Sequence, residues 1–238
     1  MSKILYEGPS LIDGAPIVCI AVGLDGKSAN SKTGGMVQTY IIRQDITPIQ
    51  GVVSGQDSSI CGDCKHRPSL AKHTGEARCY VNTGQGAGSV YKSYKAGKYS
   101  RTWSADDFAG RNVRLGTYGD PAAVPYDILE KVVSKASGHT GYTHQWLSPK
   151  FDKRLLQYCM VSVDNAFERL VAQKMGARYF EVTIGVRTPE RTEVTCPASR
   201  EAGYKTTCNA CLLCGGSSKK AKSVIIADHG VGWKSRIK

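Results

Sequence analysis

Short apolar runs, bounded by glycine, proline and polar residues, recur along the chain and predict β-strands. Two come early, at Pro16–Val22 and 36–42, with a polar, glycine-rich loop between them. After residue 111 the runs become regular, and further strands are predicted at 112–119, 139–146, 156–164, 178–184 and 223–230.

Helical patterns separate these later strands. An amphipathic helix is predicted at 123–136, and a second at 166–175, with Asp164 as its N-cap and Gly176 as its stop. Strands that alternate with helices favour a mainly parallel sheet joined by right-handed crossovers. The predicted fold class is therefore α/β, as a complete or partial β/α (TIM-like) barrel forming a single domain over 1–238.

The segment 54–103 departs from this pattern. It is rich in Gly, Lys, Ser and Tyr, contains three cysteines, and offers one helix, near 87–95. We predict a basic, cysteine-bearing insertion organised by metal rather than a layer of the core.

Polar or reactive residues stand where the predicted strands end. Parallel sheets and β/α barrels build their active sites at the carboxyl ends of their strands. The candidate catalytic residues on this rule are Asp120, His144, Asp164, Asn165 and His229. The alternatives are that loops are simply polar, and that each histidine is a hydrogen-bonded structural residue.

Nine cysteines occur in a chain whose N-terminus lacks the layout of a secretory signal and which has no long apolar run. Both features predict a cytoplasmic protein that does not contact a membrane. Because disulfides do not persist there, clustered cysteines indicate metal ligands or redox groups. Cys19 and Cys159 stand alone in apolar runs and are expected to be buried and inert.

The C-terminal cysteines have the spacing C-x11-C-x2-C-x2-C. Zinc sites of four cysteines usually combine two separate C-x2-C pairs, whereas iron–sulfur clusters use C-x2-C-x2-C runs with one distant cysteine. The pattern favours a 4Fe-4S cluster over zinc, with the ligands Cys196, Cys208, Cys211 and Cys214.

The N-terminal set has only three members, Cys61, Cys64 and Cys79. A zinc site would need a fourth ligand, for which His66 and His73 are candidates. A position left open for water or substrate is the second hypothesis. A zinc staple that holds the insertion together is the third, and a pair of neighbouring centres sharing all seven cysteines is the fourth.

The net charge of +12 favours a polyanionic partner. Cations and aromatic rings alternate within the insertion, a mixture that suits single-stranded nucleic acid. The candidate nucleic-acid-binding residues are Lys65, Arg67, Arg78, Tyr91, Lys92, Tyr94 and Lys95. The alternative is a solvated basic face whose tyrosines pack against the core.

Several motifs together resemble a group of uncharacterised, cysteine-rich proteins from tailed bacteriophages. They are SLIDGAPIVCIAVG, ICGDCKHR with CYVN, LGTYGDPAAVP, GYTHQW, and CPAS with TCNACLLC. The resemblance spans nearly the whole chain. It implies action in the cytoplasm of the infected host, and it assigns no reaction.

The layout is also distantly similar to that of radical S-adenosylmethionine enzymes, which combine a parallel barrel, three early cysteines and a late auxiliary cluster. That similarity implies S-adenosylmethionine as a further cofactor. Those enzymes usually carry C-x3-C-x2-C, whereas this chain has C-x2-C-x14-C.

The leading prediction is an iron–sulfur enzyme of phage type that acts on nucleic acid or a nucleotide-derived substrate. The main alternative is a non-catalytic nucleic-acid-binding protein with structural zinc. A third hypothesis is a factor that binds a host protein through the basic insertion. Substrate, reaction and oligomeric state are left open by the sequence.

Overall fold

A computed structural model describes residues 2–26, 31–70, 79 and 81–228. Within these residues the chain forms ten strands arranged in two five-stranded sheets, with helices between the later strands. The α/β class predicted from the sequence is confirmed. No helix among the described residues is long and apolar enough to cross a bilayer.

The first sheet is mixed. Its strands lie in the order β1-β2-β3-β4-β5, with the bounds Ser2–Pro9, Pro16–Val22, Val37–Arg43, Asn112–Tyr118 and Gly138–Thr140. The first three strands pair antiparallel, while β3, β4 and β5 pair parallel. Strand β1 was not predicted.

The second sheet is entirely parallel, in the order β6-β7-β8-β10-β9. The bounds of β6 to β10, in chain order, are Tyr142–Thr143, Met160–Val163, Tyr179–Thr183, Glu193–Thr195 and Ser223–Ala227. Only Gly141 separates β5 from β6, so the chain passes directly from one sheet to the other. Neither sheet is closed, and the prediction of a complete barrel is wrong because the chain opens with an antiparallel meander instead of a βα repeat.

Six α-helices connect these strands in the described part of the chain. In chain order α1 to α6 are Pro48–Ser54, Ser58–Cys61, Gly88–Lys95, Tyr126–Val133, Ala166–Lys174 and Cys208–Cys211. Helix α1 begins at a capping box of Thr47 and Gln50 with proline in its first turn. Helix α5 is followed by Gly176 at φ +68°, as the sequence predicted.

The predicted insertion 54–103 lies within the long connection from β3 to β4, which also contains α1, α2 and α3. Its apolar side chains, including Val90 and Tyr91, belong to the same buried cluster as Ile17 and Leu115. The segment therefore contributes to the core, in contrast to the sequence-based expectation.

Candidate metal centres

A cavity of about 150 Å³ opens at the carboxyl ends of β4, β6, β7 and β8. Three residues that end these strands line it, Asp120, His144 and Asp164. The cysteines of the N-terminal set line the same cavity, and these are Cys61, Cys64 and Cys79. The parallel-strand rule thus locates the cavity correctly.

The end of α2 fixes Cys61 against the end of β4. The Asp120 N–H donates to the Ile60 carbonyl at 2.6 Å, and the Gln145 side chain donates to the Cys61 carbonyl at 3.1 Å. Gly62 follows at φ +52°, where a Cβ atom would overlap the amide of Gln145. Only glycine therefore fits the turn between the first two cysteines.

The buried carboxylate of Asp57, just before helix α2, holds the segment that follows Cys64 against that helix. Asp57 accepts hydrogen bonds from Arg67 at 2.9 Å and from Ser69 at 2.7 Å. Beyond the loop, the Cys79 N–H donates to the His66 carbonyl at 3.0 Å. These contacts return the chain to the cavity, so that Cys79 joins the other two cysteines.

The three thiols of the N-terminal set share an environment that disfavours the ionised thiolate in the absence of a bound cation. Burial raises the pKa of Cys61, Cys64 and Cys79, and the neighbouring thiols raise the pKa of Cys61 further. Backbone N–H groups of His66 and Val81 act in the opposite direction, since they donate to the sulfurs of Cys64 and Cys79. Such donors stabilise a thiolate, and a bound cation would offset the remaining cost of burial.

The C-terminal cysteines converge on a second, smaller cavity. Cys196 follows β9, and helix α6 carries the next two cysteines. Leu212 at φ +50° then turns the chain towards the last one. All four line the cavity, namely Cys196, Cys208, Cys211 and Cys214.

Arg178 organises this loop. Its guanidinium donates to the carbonyls of Leu213 at 2.9 Å, Gly216 at 2.8 Å and Lys222 at 2.6 Å. Because the side chain is buried, these three bonds satisfy a charge that water does not reach. Arg178 also provides positive charge beside Cys214.

Two thiols of the second set, those of Cys196 and Cys214, are likewise buried and hydrogen-bonded, while Cys208 and Cys211 are partly exposed. Burial raises the pKa of Cys196, although the Ala198 N–H donates to its sulfur. Burial raises the pKa of Cys214 to about 12, and a hydrogen bond from the Tyr142 side chain opposes this shift. The two cysteines outside the sets, Cys19 and Cys159, are fully buried in the core, as predicted.

The two cavities are neighbours. Arg114, Tyr142 and Phe180 line both of them. The rings of Tyr142 and Phe180 lie in contact, with 4.5 Å between centroids. The two cysteine sets therefore lie on either side of one wall of side chains, which the sequence could not indicate.

Neither set is arranged in advance around a single ion. Among the described residues, only His66, His144 and Asp164 bring three donor atoms within 4.8 Å of one another. A tetrahedral zinc ion with Zn–S bonds of about 2.3 Å would need sulfurs about 3.8 Å apart. A 4Fe-4S cluster binds each thiolate to a different iron and so accepts wider spacing. Metal binding by the cysteines stays a prediction.

His66 contacts a carboxylate in the same cavity. Its Nε2 atom lies 2.9 Å from Asp164 Oδ1, and His144 Nε2 lies 3.9 Å from the same oxygen. The hypothesis that His66 completes the N-terminal cysteine site stays a prediction. His73, the other candidate, lies outside the described residues.

Two of the other catalytic candidates, Asp120 and Asn165, do not belong to the cluster of His144 and Asp164. Asp120 is buried, which raises its pKa to about 6, and its Oδ2 accepts the His144 N–H at 2.8 Å. It positions the histidine backbone. Asn165 caps α5 by accepting the Glu168 N–H at 2.9 Å, the role that the sequence analysis gave to Asp164. His229 lies outside the described residues.

The predicted aromatic surface for nucleic acid does not form as expected. Tyr91 is buried in the core, and the Tyr94 hydroxyl donates to Glu7 at 2.9 Å, so neither ring stands free for stacking. The cause is the packing of α3 against the first sheet. Two of the predicted cations are paired with carboxylates, Lys65 with Glu168 and Arg67 with Asp57. Lys92 and Lys95 are exposed, and Arg78 lies outside the described residues.

Comparison with models of protein families, with curated proteins and with solved structures finds no match.

Proposed function

We propose that the protein is a cysteine-ligated metalloenzyme with two iron–sulfur centres. One observation carries the proposal: Cys61, Cys64 and Cys79 line a cavity at the carboxyl ends of parallel strands, beside His144 and Asp164. A structural metal needs only the space of the ion or cluster itself, whereas a reactive metal needs further room for a substrate, and this cavity of about 150 Å³ exceeds the one of about 20 Å³ at the C-terminal set.

In this proposal the three-cysteine centre is the reactive one. With three protein thiolates, a single four-coordinate ion has one position without a protein ligand, and a four-iron cluster has one iron without a protein ligand. That position would face the cavity, where a substrate could bind the metal directly and be polarised or reduced. Among the described residues no three thiols lie within 4.8 Å of one another, and a cluster tolerates that separation where a single zinc ion does not.

The four-cysteine centre is assigned an auxiliary role. Four thiols complete its ligand set, so it has no vacant position for a substrate. It lies across the wall of Arg114, Tyr142 and Phe180 from the first cavity, a short path for an electron. Its function would be to supply or accept electrons.

The substrate class is proposed from the lining and the layout. Arg67 and Arg114 line the reactive cavity, although Asp57 already pairs with Arg67, and a nucleotide-derived substrate is proposed on the net positive charge of the chain. Strand β5 at the edge of the first sheet is followed after one residue by β6 at the edge of the second. This succession of parallel strands is compatible with a partial β/α barrel. S-adenosylmethionine is the co-substrate that the distant resemblance implies. Membership of the phage family and location in the host cytoplasm stay predictions.

The competing hypothesis of a nucleic-acid binder with structural zinc finds less support. It relied on tyrosines that the fold packs against the core, as Tyr91 shows. The third hypothesis, binding of a host protein through the basic segment, has no observation in its favour.

Anaerobic purification followed by iron, sulfide and zinc analysis tests the proposal. We expect about four irons and as many sulfides for each centre, with a brown colour that bleaches on reduction. Replacing the N-terminal set (C61A, C64A and C79A) should remove the iron of one centre, and replacing the C-terminal set should remove that of the other. The matched control is Cys19→Ala, a buried cysteine outside both cavities, which should retain all the iron.

Colourless protein that carries one or two zinc ions would contradict the proposal and favour structural sites. Iron that is lost equally from the Cys19→Ala control and from the site variants would also count against it, because the loss would then reflect destabilisation alone.

A further inference from the structure

Beside the N-terminal cysteines, three non-cysteine donors approach one another. One potential ligand atom of each of His66, His144 and Asp164 lies within 4.8 Å of the other two. The carboxylate oxygen is 2.9 Å from the first imidazole nitrogen and 3.9 Å from the second. These separations bracket those between neighbouring ligands of one metal ion with bonds of about 2.1 Å.

One of these donors has no hydrogen bond. Within the described part of the chain, His144 Nε2 is buried and has no partner, whereas Asp164 Oδ1 is buried and has the contact with His66 Nε2 alone. A buried polar atom is rarely left without a partner, because desolvation without a replacement bond is unfavourable. A cation between the imidazoles and the carboxylate would satisfy His144 Nε2 and add a ligand interaction to Asp164 Oδ1.

Hydrogen bonds to neighbouring carboxylates fix the backbone of His144 and of Asp164. The His144 N–H donates to Asp120 at 2.8 Å, and the Asp164 N–H donates to Glu168 at 2.8 Å. Lys65 bonds the same Glu168 at 2.8 Å and lies 3.6 Å from the outer oxygen of Asp164. Outer contacts of this kind orient ligands in metal sites.

We propose that His66, His144 and Asp164 bind a divalent first-row transition-metal ion. Two imidazoles and one carboxylate form the donor set of non-haem iron sites, and they leave positions open for substrate. The site lies in the reactive cavity and uses no cysteine, so it stands independently of the iron–sulfur proposal.

Manganese(II) is the probe that tests this site. Thiolates favour softer metals, whereas imidazole and carboxylate accept manganese, so the cysteines contribute little to its binding. The anaerobically purified whole chain is titrated with manganese, and the loss of the free-ion paramagnetic resonance signal is recorded. We expect one manganese per chain.

The variants Asp164→Asn and His144→Gln should weaken manganese binding by at least about tenfold, since each removes a ligand. His139→Gln is the matched control, because His139 is also partly buried but lines neither cavity. Far-UV circular dichroism establishes that each variant folds, and His66→Gln serves in place of a variant that does not.

Absence of manganese binding to the folded chain would overturn the proposal, as would folded variants that bind it as the parent does. Iron and sulfide content, measured on the same samples, separates this result from a failure of the cysteine centres. Unchanged iron with lost manganese is the expected outcome for Asp164→Asn.

Discussion

The Tyr142 side chain hydrogen-bonds the sulfur of Cys214, and its ring also lines the cavity of the N-terminal cysteines. One residue thus contacts both candidate centres. Because a hydrogen bond to a ligating thiolate stabilises the more negative, reduced state of a cluster, Tyr142 should affect the potential of the four-cysteine centre.

Tyr142→Phe should lower the reduction potential of that centre. A hydrogen bond of about 1 kcal/mol, lost only from the reduced state, corresponds to about 40 mV for one electron. A spectroscopic redox titration under anaerobic conditions measures the change. Tyr204→Phe is the control, since Tyr204 lies in the same β9–β10 connection as Cys214 but its side chain is exposed. An unchanged potential in Tyr142→Phe would contradict the assigned hydrogen bond.

The turn between Cys61 and Cys64 gives a second prediction. Gly62→Ala should destabilise the fold by about 3 kcal/mol and release metal from the N-terminal set, because the added Cβ overlaps Gln145 and the backbone angles favour glycine. Thermal unfolding and iron analysis measure both effects.

Gly55→Ala is the matched control for this variant. Gly55 also has a positive φ, at +78°, but a Cβ there meets open space. We expect a loss of only about 1 kcal/mol and full metal content. Equal metal loss in both variants would show that general strain, and not the geometry of the cysteine turn, is responsible.

The cap of helix α5 gives a third prediction. Asn165→Ala should cost about 1 kcal/mol of stability, because the Glu168 N–H loses its acceptor, while the metal content stays unchanged. Chemical denaturation and iron analysis test this. Loss of metal without loss of stability would instead restore Asn165 to the site.

The same junction shows where sequence reasoning reaches its limit. Asp164 and Asn165 are adjacent, and both residue types cap helices well, so the pattern alone could not decide between them. In the structure Asn165 takes the cap, which leaves the Asp164 carboxylate to face His66 and His144. The sequence located the strand end correctly but not the direction of each side chain.

Strand prediction succeeded where apolar runs were long. Strand β2 has the predicted bounds, Pro16–Val22, because nearly all its residues are buried. Strand β1 was missed because its apolar run, Ile4 to Tyr6, is short and flanked by polar residues, and β9 because it has only three residues. The sequence left a complete and a partial barrel open, and the structure shows no closed sheet. Closure depends on pairings between strands distant in sequence, which local patterns do not encode.

The cysteine sets were recognisable because their members stand close together in the sequence. By contrast, 77 residues separate His66 from His144, so no spacing pattern could have joined them. Their approach follows from the β3–β4 connection, which places His66 over the carboxyl ends of the second sheet. The proximity of the two cysteine cavities was likewise beyond local reasoning.

If Cys61, Cys64 and Cys79 hold a metal centre with a position open to the cavity, a small ligand should bind there. The low-temperature paramagnetic resonance spectrum of the reduced protein, recorded with and without cyanide, measures this binding. Cyanide should alter the signal of one centre and leave the other unaffected, and the response should disappear in Cys79→Ala. Two centres whose signals both stay unchanged with cyanide would show that neither has an open position.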